Sequence, residues 1–175
     1  MKIEDNCLSL DNFKKITDLI LGNKSFQIPW YWNPLIDYDN EIENPVKFQF
    51  IHIFYDNSPL YVSPYMEPLN SILDILQPVS VYRIKANLLT KTSNIIENKF
   101  HIDMNDIPDE KIKQWTTSIF YVNTNDGYTE FEDGTKVESV ANRMVTFPAN
   151  LKHRGTSCTD EKRRVAINFN YFSKT

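Results

Sequence analysis

Apolar residues recur at helical spacing in two stretches of the chain and at alternate positions in many more. Phe13, Ile16, Leu19 and Ile20 share one helical face over residues 11–21, with Asp11 placed to cap the helix and Gly22 to end it. Met66, Leu69, Ile72, Leu73 and Leu76 repeat that spacing over residues 63–76 until Pro78 stops it. Both stretches predict helices whose apolar faces cover a sheet. Between them, the aromatic run 26–32 carries Pro29 and predicts an irregular segment laid against the core, and the acidic, polar residues 33–44 predict a surface loop.

Alternation dominates the rest. Residues 46–55 place Phe48, Phe50, His52 and Phe54 on one side of a strand, and a lone histidine among phenylalanines reads as a packing residue. Residues 81–89 form a strand with Arg83, Lys85 and Asn87 on one side and Tyr82, Ile84, Ala86 and Leu88 on the other. After a polar loop at 91–99, short strands are predicted over 115–123, 128–131, 135–140, 142–147 and 163–172, punctuated by turns at 124–127 and 132–134. Many short strands with Asn/Asp-Gly turns predict a mainly β fold with flanking helices, a jelly-roll or cupin-like barrel rather than a βαβ sheet. The expectation is one domain over residues 1–175, with 1–80 as an N-terminal cover and 81–175 as the barrel core.

Composition narrows the classes. With 175 residues, 41% hydrophobic and 24% charged, the chain can bury a core without staples. A net charge of -4 offers no general affinity for phosphate backbones, so nucleic acid is not an expected partner. Cys7 and Cys158 form no disulfide framework or thiolate metal site, and no apolar run reaches the ~20 residues that span a bilayer. Together these favour a cytoplasmic setting without membrane insertion.

The candidate chemistry begins at His101 and Asp103, two residues apart, which on extended backbone point the same way and can grip one metal ion. His153 supplies a third ligand. Two imidazoles and one carboxylate on one face of an octahedral ion leave three positions open, the arrangement of non-haem Fe(II) oxygenases, and no thiolate is present to favour zinc. Arg164 follows on an alternating strand with Ala166 and Asn168 on its face and Arg163 on the other, and its guanidinium fork suits a dicarboxylate. On the strand at 81–89, the polar side is either a solvated edge or the lining of such a site's mouth, where Asn87 would orient a cosubstrate.

The ordered set His101, Asp103, His153 and Arg164 resembles the Fe(II)/2-oxoglutarate-dependent oxygenases, and within them the small prolyl-4-hydroxylase-like enzymes of microbes and phages. The similarity runs over residues 81–172, where 117–123, 125–131 and 142–148 resemble successive strands of that family's barrel. The resemblance implies a double-stranded β-helix with His101, Asp103 and His153 as the Fe(II) ligands at the catalytic centre. It also implies 2-oxoglutarate held by Arg164 with Tyr121 as second contact and Thr117 as a further candidate, O2 as cosubstrate and ascorbate as accessory reductant. A small residue two positions after the arginine, often serine in the family, is here Ala166.

The implied reaction is hydroxylation of a C–H bond, with a peptidyl proline or another protein or amino-acid side chain as default substrate. The retained carboxylate Asp103 does not fit the related halogenases. Nucleobase-oxidising relatives carry a second arginine six residues after the first, where this chain has Asn170. The alternative from another class is a non-catalytic barrel, a cupin-like metal-binding module or a structural phage component, which has no need of a carboxylate clamp at Arg164. Were the protein phage-encoded, its setting would be the host cytoplasm.

Overall fold

The computed structural model describes residues 1–22, 27–36 and 47–173. Its strands are β1 Lys2–Glu4, β2 Tyr31–Asn33, β3 Gln49–Asn57, β4 Leu60–Val62, β5 Ser80–Thr90, β6 Trp115–Tyr121, β7 Tyr128–Phe131, β8 Lys136–Glu138, β9 Arg143–Pro148, β10 His153–Gly155 and β11 Arg163–Phe172. Eight of them form one antiparallel sheet in the order β1-β9-β6-β11-β5-β3-β2, with β4 paired to β3, and the other three form a smaller sheet, β10-β7-β8. Two facing antiparallel sheets built from such short strands make the jelly-roll barrel expected from the alternation.

Strand alternation sorts the side chains of the large sheet. Ile84, Ala86 and Leu88 of β5, Phe120 of β6, Met144 of β9 and Val165, Ile167 and Phe169 of β11 face outward into the main core. That core is closed by Ile16 and Ile20 of helix α1 (Leu10–Leu21) and Ile72 of helix α2 (Asn70–Leu76). Ile119, Tyr121, Val145 and Ala166 face the other way and meet Phe131 and Val137 of the small sheet in a second core. A third cluster, Met104, Ile112 and Ala149, closes one end, with Ile112 supplied by the short helix α3 (Asp109–Ile112).

Several sequence expectations shift. The cap of α1 is Ser9, whose hydroxyl accepts from the Asn12 amide at 3.4 Å, because the helix starts one residue before Asp11; Gly22 ends it at φ 75°. The second helix divides into a 3-10 turn at Glu67–Leu69, where Pro68 has no N–H to give, followed by α2, which stops at left-handed Gln77 before Pro78. The aromatic run is not wholly irregular, since Tyr31 and Asn33 pair with Ile51 and Gln49. Phe26 and residues 37–44 of the acidic loop lie outside the described residues. β3 pairs along β5 from Phe50↔Leu88 to Asp56↔Arg83, so a strand of the N-terminal half joins the large sheet. Tyr82 leaves the face of Ile84 at the bulge where Tyr171 pairs with Val81, and packs on Trp115 instead.

Phe120 is fully buried and meets Phe13 of α1 edge to face at 6.1 Å. We expect Phe120→Ala to lower stability by about 3–5 kcal/mol through the cavity it leaves, read as a shift in urea midpoint at unchanged slope.

Candidate metal centre

The segment carrying His101 has no ladder of its own. It is held by isolated antiparallel bridges, and at the nearer one to β10 the His101 amide donates to the His153 carbonyl at 2.9 Å and the His153 amide returns a bond to the His101 carbonyl at 3.0 Å. Directly paired residues of antiparallel strands present their side chains to the same face, so this bridge sets the imidazoles together with centroids 5.0 Å apart. Asp103, two residues on, brings Oδ1 to 3.7 Å from Nε2 of His101 and 3.9 Å from Nε2 of His153. The three ligand atoms lie within 4.8 Å of one another, a set that can hold one metal ion.

The surroundings prepare each donor. His101 Nδ1 faces the Lys99 carbonyl at 3.1 Å and His153 Nδ1 faces the Leu151 carbonyl at 3.3 Å. A carbonyl only accepts, so each Nδ1 carries the hydrogen and each Nε2 keeps its lone pair for a cation. Asp103 is buried, and its Oδ2 accepts from Asn168 Nδ2 at 3.1 Å and Asn170 Nδ2 at 3.0 Å, leaving Oδ1 aimed at the imidazoles. Burial alone would raise this carboxyl, but the positive charge the imidazoles carry when protonated, then Lys85 and the Asn170 amide, outweigh it and hold it well below the ordinary carboxylate range. Burial lowers the His153 pKa, which favours the neutral ring a metal needs. Donor types, burial and hydrogen bonding all fit a divalent ion of the ferrous kind.

Around this centre the inner face of the large sheet opens into a cleft lined by Lys85, Asn87 and Leu89 of β5, Arg164, Ala166 and Asn168 of β11, and Thr129 of β7 together with the triad. Arg164 is 5% exposed; its Nε donates to Ser139 Oγ at 2.7 Å and its Nη2 to Thr129 Oγ1 at 3.2 Å. Its guanidinium stacks over Tyr121 at 5.7 Å, and Gly127 gives its chain room, since a Cβ there would come 2.6 Å from Arg164 Cδ. Among the described residues no carboxylate pairs with it. Arg163 points the other way and donates to the Leu21 carbonyl.

The remaining sequence candidates fall in different places. Asn87 lines the cleft beside Asn168. Tyr121 is fully buried with its hydroxyl donated to Thr129 at 2.8 Å, so it stands beneath Arg164 rather than on the cleft wall. Thr117 is also fully buried: its hydroxyl accepts from Asn170 at 3.1 Å, and Asn170 in turn donates to Asp103. His52 is remote from the triad and satisfied by the Pro29 carbonyl at 2.8 Å and Ser63 at 2.9 Å. Sequence reasoning missed Asn170 as a partner of Asp103, although it shares the inward face of β11 with Arg164. Thr129 and Ser139 gave no signal, because only the meeting of the two sheets brings them to the guanidinium.

An outer network ties the two histidine segments together. Arg154, beside His153, donates to Glu130 at 2.6 Å, lies 2.6 Å from Glu97 and covers the ring of Phe100, beside His101, at 4.6 Å.

No sequence-family model matches the chain, and no curated protein matches it. Solved structures do. A viral collagen prolyl hydroxylase from Paramecium bursaria Chlorella virus-1, solved with 2-oxoglutarate, superposes with a TM-score of 0.62 at 12% identity over 99% of this chain and 96% of that one. A Trichoplax adhaerens prolyl hydroxylase bound to a hypoxia-inducible-factor peptide gives 0.62 at 14% identity, covering 98% and 82%. A non-haem α-ketoglutarate-dependent epimerase of nogalamycin biosynthesis gives 0.64 at 10% identity, covering 99% and 78%. The fold is that of the Fe(II)/2-oxoglutarate oxygenases.

We expect Asn170→Ala, which frees one Oδ2 contact of Asp103, to weaken divalent metal binding about 10–100-fold, measured by titrating the metal-free protein with Mn(II). Unfolding exposes His153 and lets it protonate near its ordinary value of 6.5, whereas the folded ring resists. The unfolded state therefore binds more protons below that value, and the metal-free protein should lose stability as pH falls from about 7 to about 5. His52, also lowered by burial, adds the same sign, so His153→Asn should remove only part of the slope in urea titrations across pH.

Proposed function

We propose that the protein is an Fe(II)- and 2-oxoglutarate-dependent oxygenase that hydroxylates a C–H bond, with a peptidyl proline or another protein or amino-acid side chain as the default substrate. The observation that carries this reading is Arg164, a buried guanidinium solvated by two hydroxyls but lacking a carboxylate partner among the described residues, in the same cleft as the two-histidine, one-carboxylate set. A buried charge without a counter-ion is costly, and a barrel that merely folds or stores a metal gains nothing from one. A dicarboxylate supplies the missing charge at one end and metal ligands at the other.

When bound, ferrous iron with 2-oxoglutarate and O2 supplies oxidative decarboxylation to succinate and CO2 and oxygen insertion into a C–H bond. The chain's own residues bind and orient. His101, Asp103 and His153 would hold the ion, Asn168 and Asn170 keep Oδ1 of Asp103 turned toward the imidazoles, and Arg164 would hold the distal carboxylate. Leu89, Ile119 and Ala166 give the cleft apolar walls that limit water around the reacting groups. Asn170, where nucleobase-oxidising relatives carry arginine, is already committed to Asp103, which disfavours that branch. Ascorbate as reductant belongs to this same proposal.

Under anaerobic conditions Fe(II) plus 2-oxoglutarate is expected to give the weak visible charge-transfer band of a chelated keto acid. His101→Ala and Asp103→Ala should each abolish it, and a band unchanged in both would refute the ligand assignment. Arg164→Ala should raise the 2-oxoglutarate concentration needed for uncoupled succinate formation by 30-fold or more, the consequence of losing roughly 2–5 kcal/mol at a buried charge pair.

A further inference from the structure

The cleft continues past the triad into a second lobe, where Asn33, Leu35, Gln49 and Lys85 line the space with His101 and Asp103, and Arg164 is absent. Lys85 lines both lobes. Its neighbours on paired strands are Ile53 and Asn168, and its ammonium meets no hydrogen-bond or ion-pair partner among the described residues. Asp103, the carboxylate nearest in charge terms, has its Oδ2 taken by two asparagines and its Oδ1 turned to the imidazoles. Burial and then Arg83 lower the lysine's pKa to about 8, which leaves it charged near neutral pH.

Charge balance says what this ammonium waits for. In the oxygenase reading, a divalent ion, Lys85 and Arg164 face one aspartate and one dianionic keto acid, so a single positive charge is left over. Asn98 adds a second requirement. It is 4% exposed and lines the main lobe, and its Nδ2 donates to the Gly155 carbonyl at 2.8 Å, which forces Oδ1 to be the free end; that acceptor is buried without a partner. The cleft thus offers an unpaired cation and an unpaired acceptor in addition to Arg164.

We infer that Lys85 anchors the substrate, and that the substrate is a small molecule with a free carboxylate and an N–H or O–H donor, an amino acid rather than the interior of a protein chain. This rests on the oxygenase reading and narrows its substrate class. The carboxylate sits on Lys85 at the second lobe, and Asn98 Oδ1 accepts from the donor group.

The test titrates the anaerobic protein, loaded with Fe(II) and 2-oxoglutarate, with the common free L-amino acids and with their C-terminal amides, following heat and the charge-transfer band. At least one free acid should bind and perturb the band, with its amide binding at least tenfold more weakly. Lys85→Gln should erase that difference, with the 2-oxoglutarate titration run beside it, and Lys85→Arg should keep the preference. Equal binding of acid and amide, or binding of none, overturns the inference while the band still stands for the oxygenase reading. A weakened 2-oxoglutarate titration in Lys85→Gln also overturns it, by moving the lysine to the cosubstrate. Absence of the band in the wild type removes the oxygenase reading and this inference with it.

Discussion

The reciprocal backbone pairing of His101 with His153 is the constraint on which the candidate site depends. Two hydrogen bonds of 2.9 and 3.0 Å hold the segment before Asp103 against a strand of only three residues, and that strand is itself held by β7 through His153↔Phe131 and Arg154↔Glu130. Imidazoles placed by backbone register, rather than by their own rotamers alone, lose little freedom when an ion arrives. The phenyl rings of Phe147 and Phe131, 5.0 and 6.2 Å from the His153 ring, restrict it further. Arg154, reaching Glu97, Glu130 and Phe100 together, closes the same junction from outside.

Inside the cleft, opposite charges are kept apart. Asp103 is surrounded by the amides of Asn168 and Asn170, and Arg164 by the hydroxyls of Ser139 and Thr129. Neutral dipoles stabilise a buried ion without cancelling it, so each remains available to a partner of opposite charge arriving from solution. A direct Asp103–Arg164 pair would satisfy both groups and leave nothing for a metal or a dicarboxylate.

How much of this was legible follows from the range of each signal. Alternation along β11 separates Arg164 from Arg163 because a strand's side chains change face at every residue, and the same period marks Lys85 and Asn87 as one polar face. The long strands β5 and β11 carry enough repeats for the period to show. β2, β4 and β10 have three residues each and carry none; their pairing to longer neighbours makes them strands. Thr117 and Tyr121 share a face with the cleft in any reading of β6. Depth decides their roles, since Asn170 covers one and Thr129 meets the other, and depth is absent from a linear pattern.

By itself the sequence determined the β-rich architecture, the faces of its long strands and the ordered set of two histidines, a carboxylate and an arginine, because these depend on residue type and local period. Only the tertiary structure decided that His101 and His153 lie side by side, that asparagines turn the carboxylate toward them, and that Arg164 and Lys85 stay without carboxylate partners among the described residues. Those outcomes depend on contacts between remote strands, whose register is set by the packing of two sheets and two helices around shared cores, and no stretch of the chain encodes that register locally.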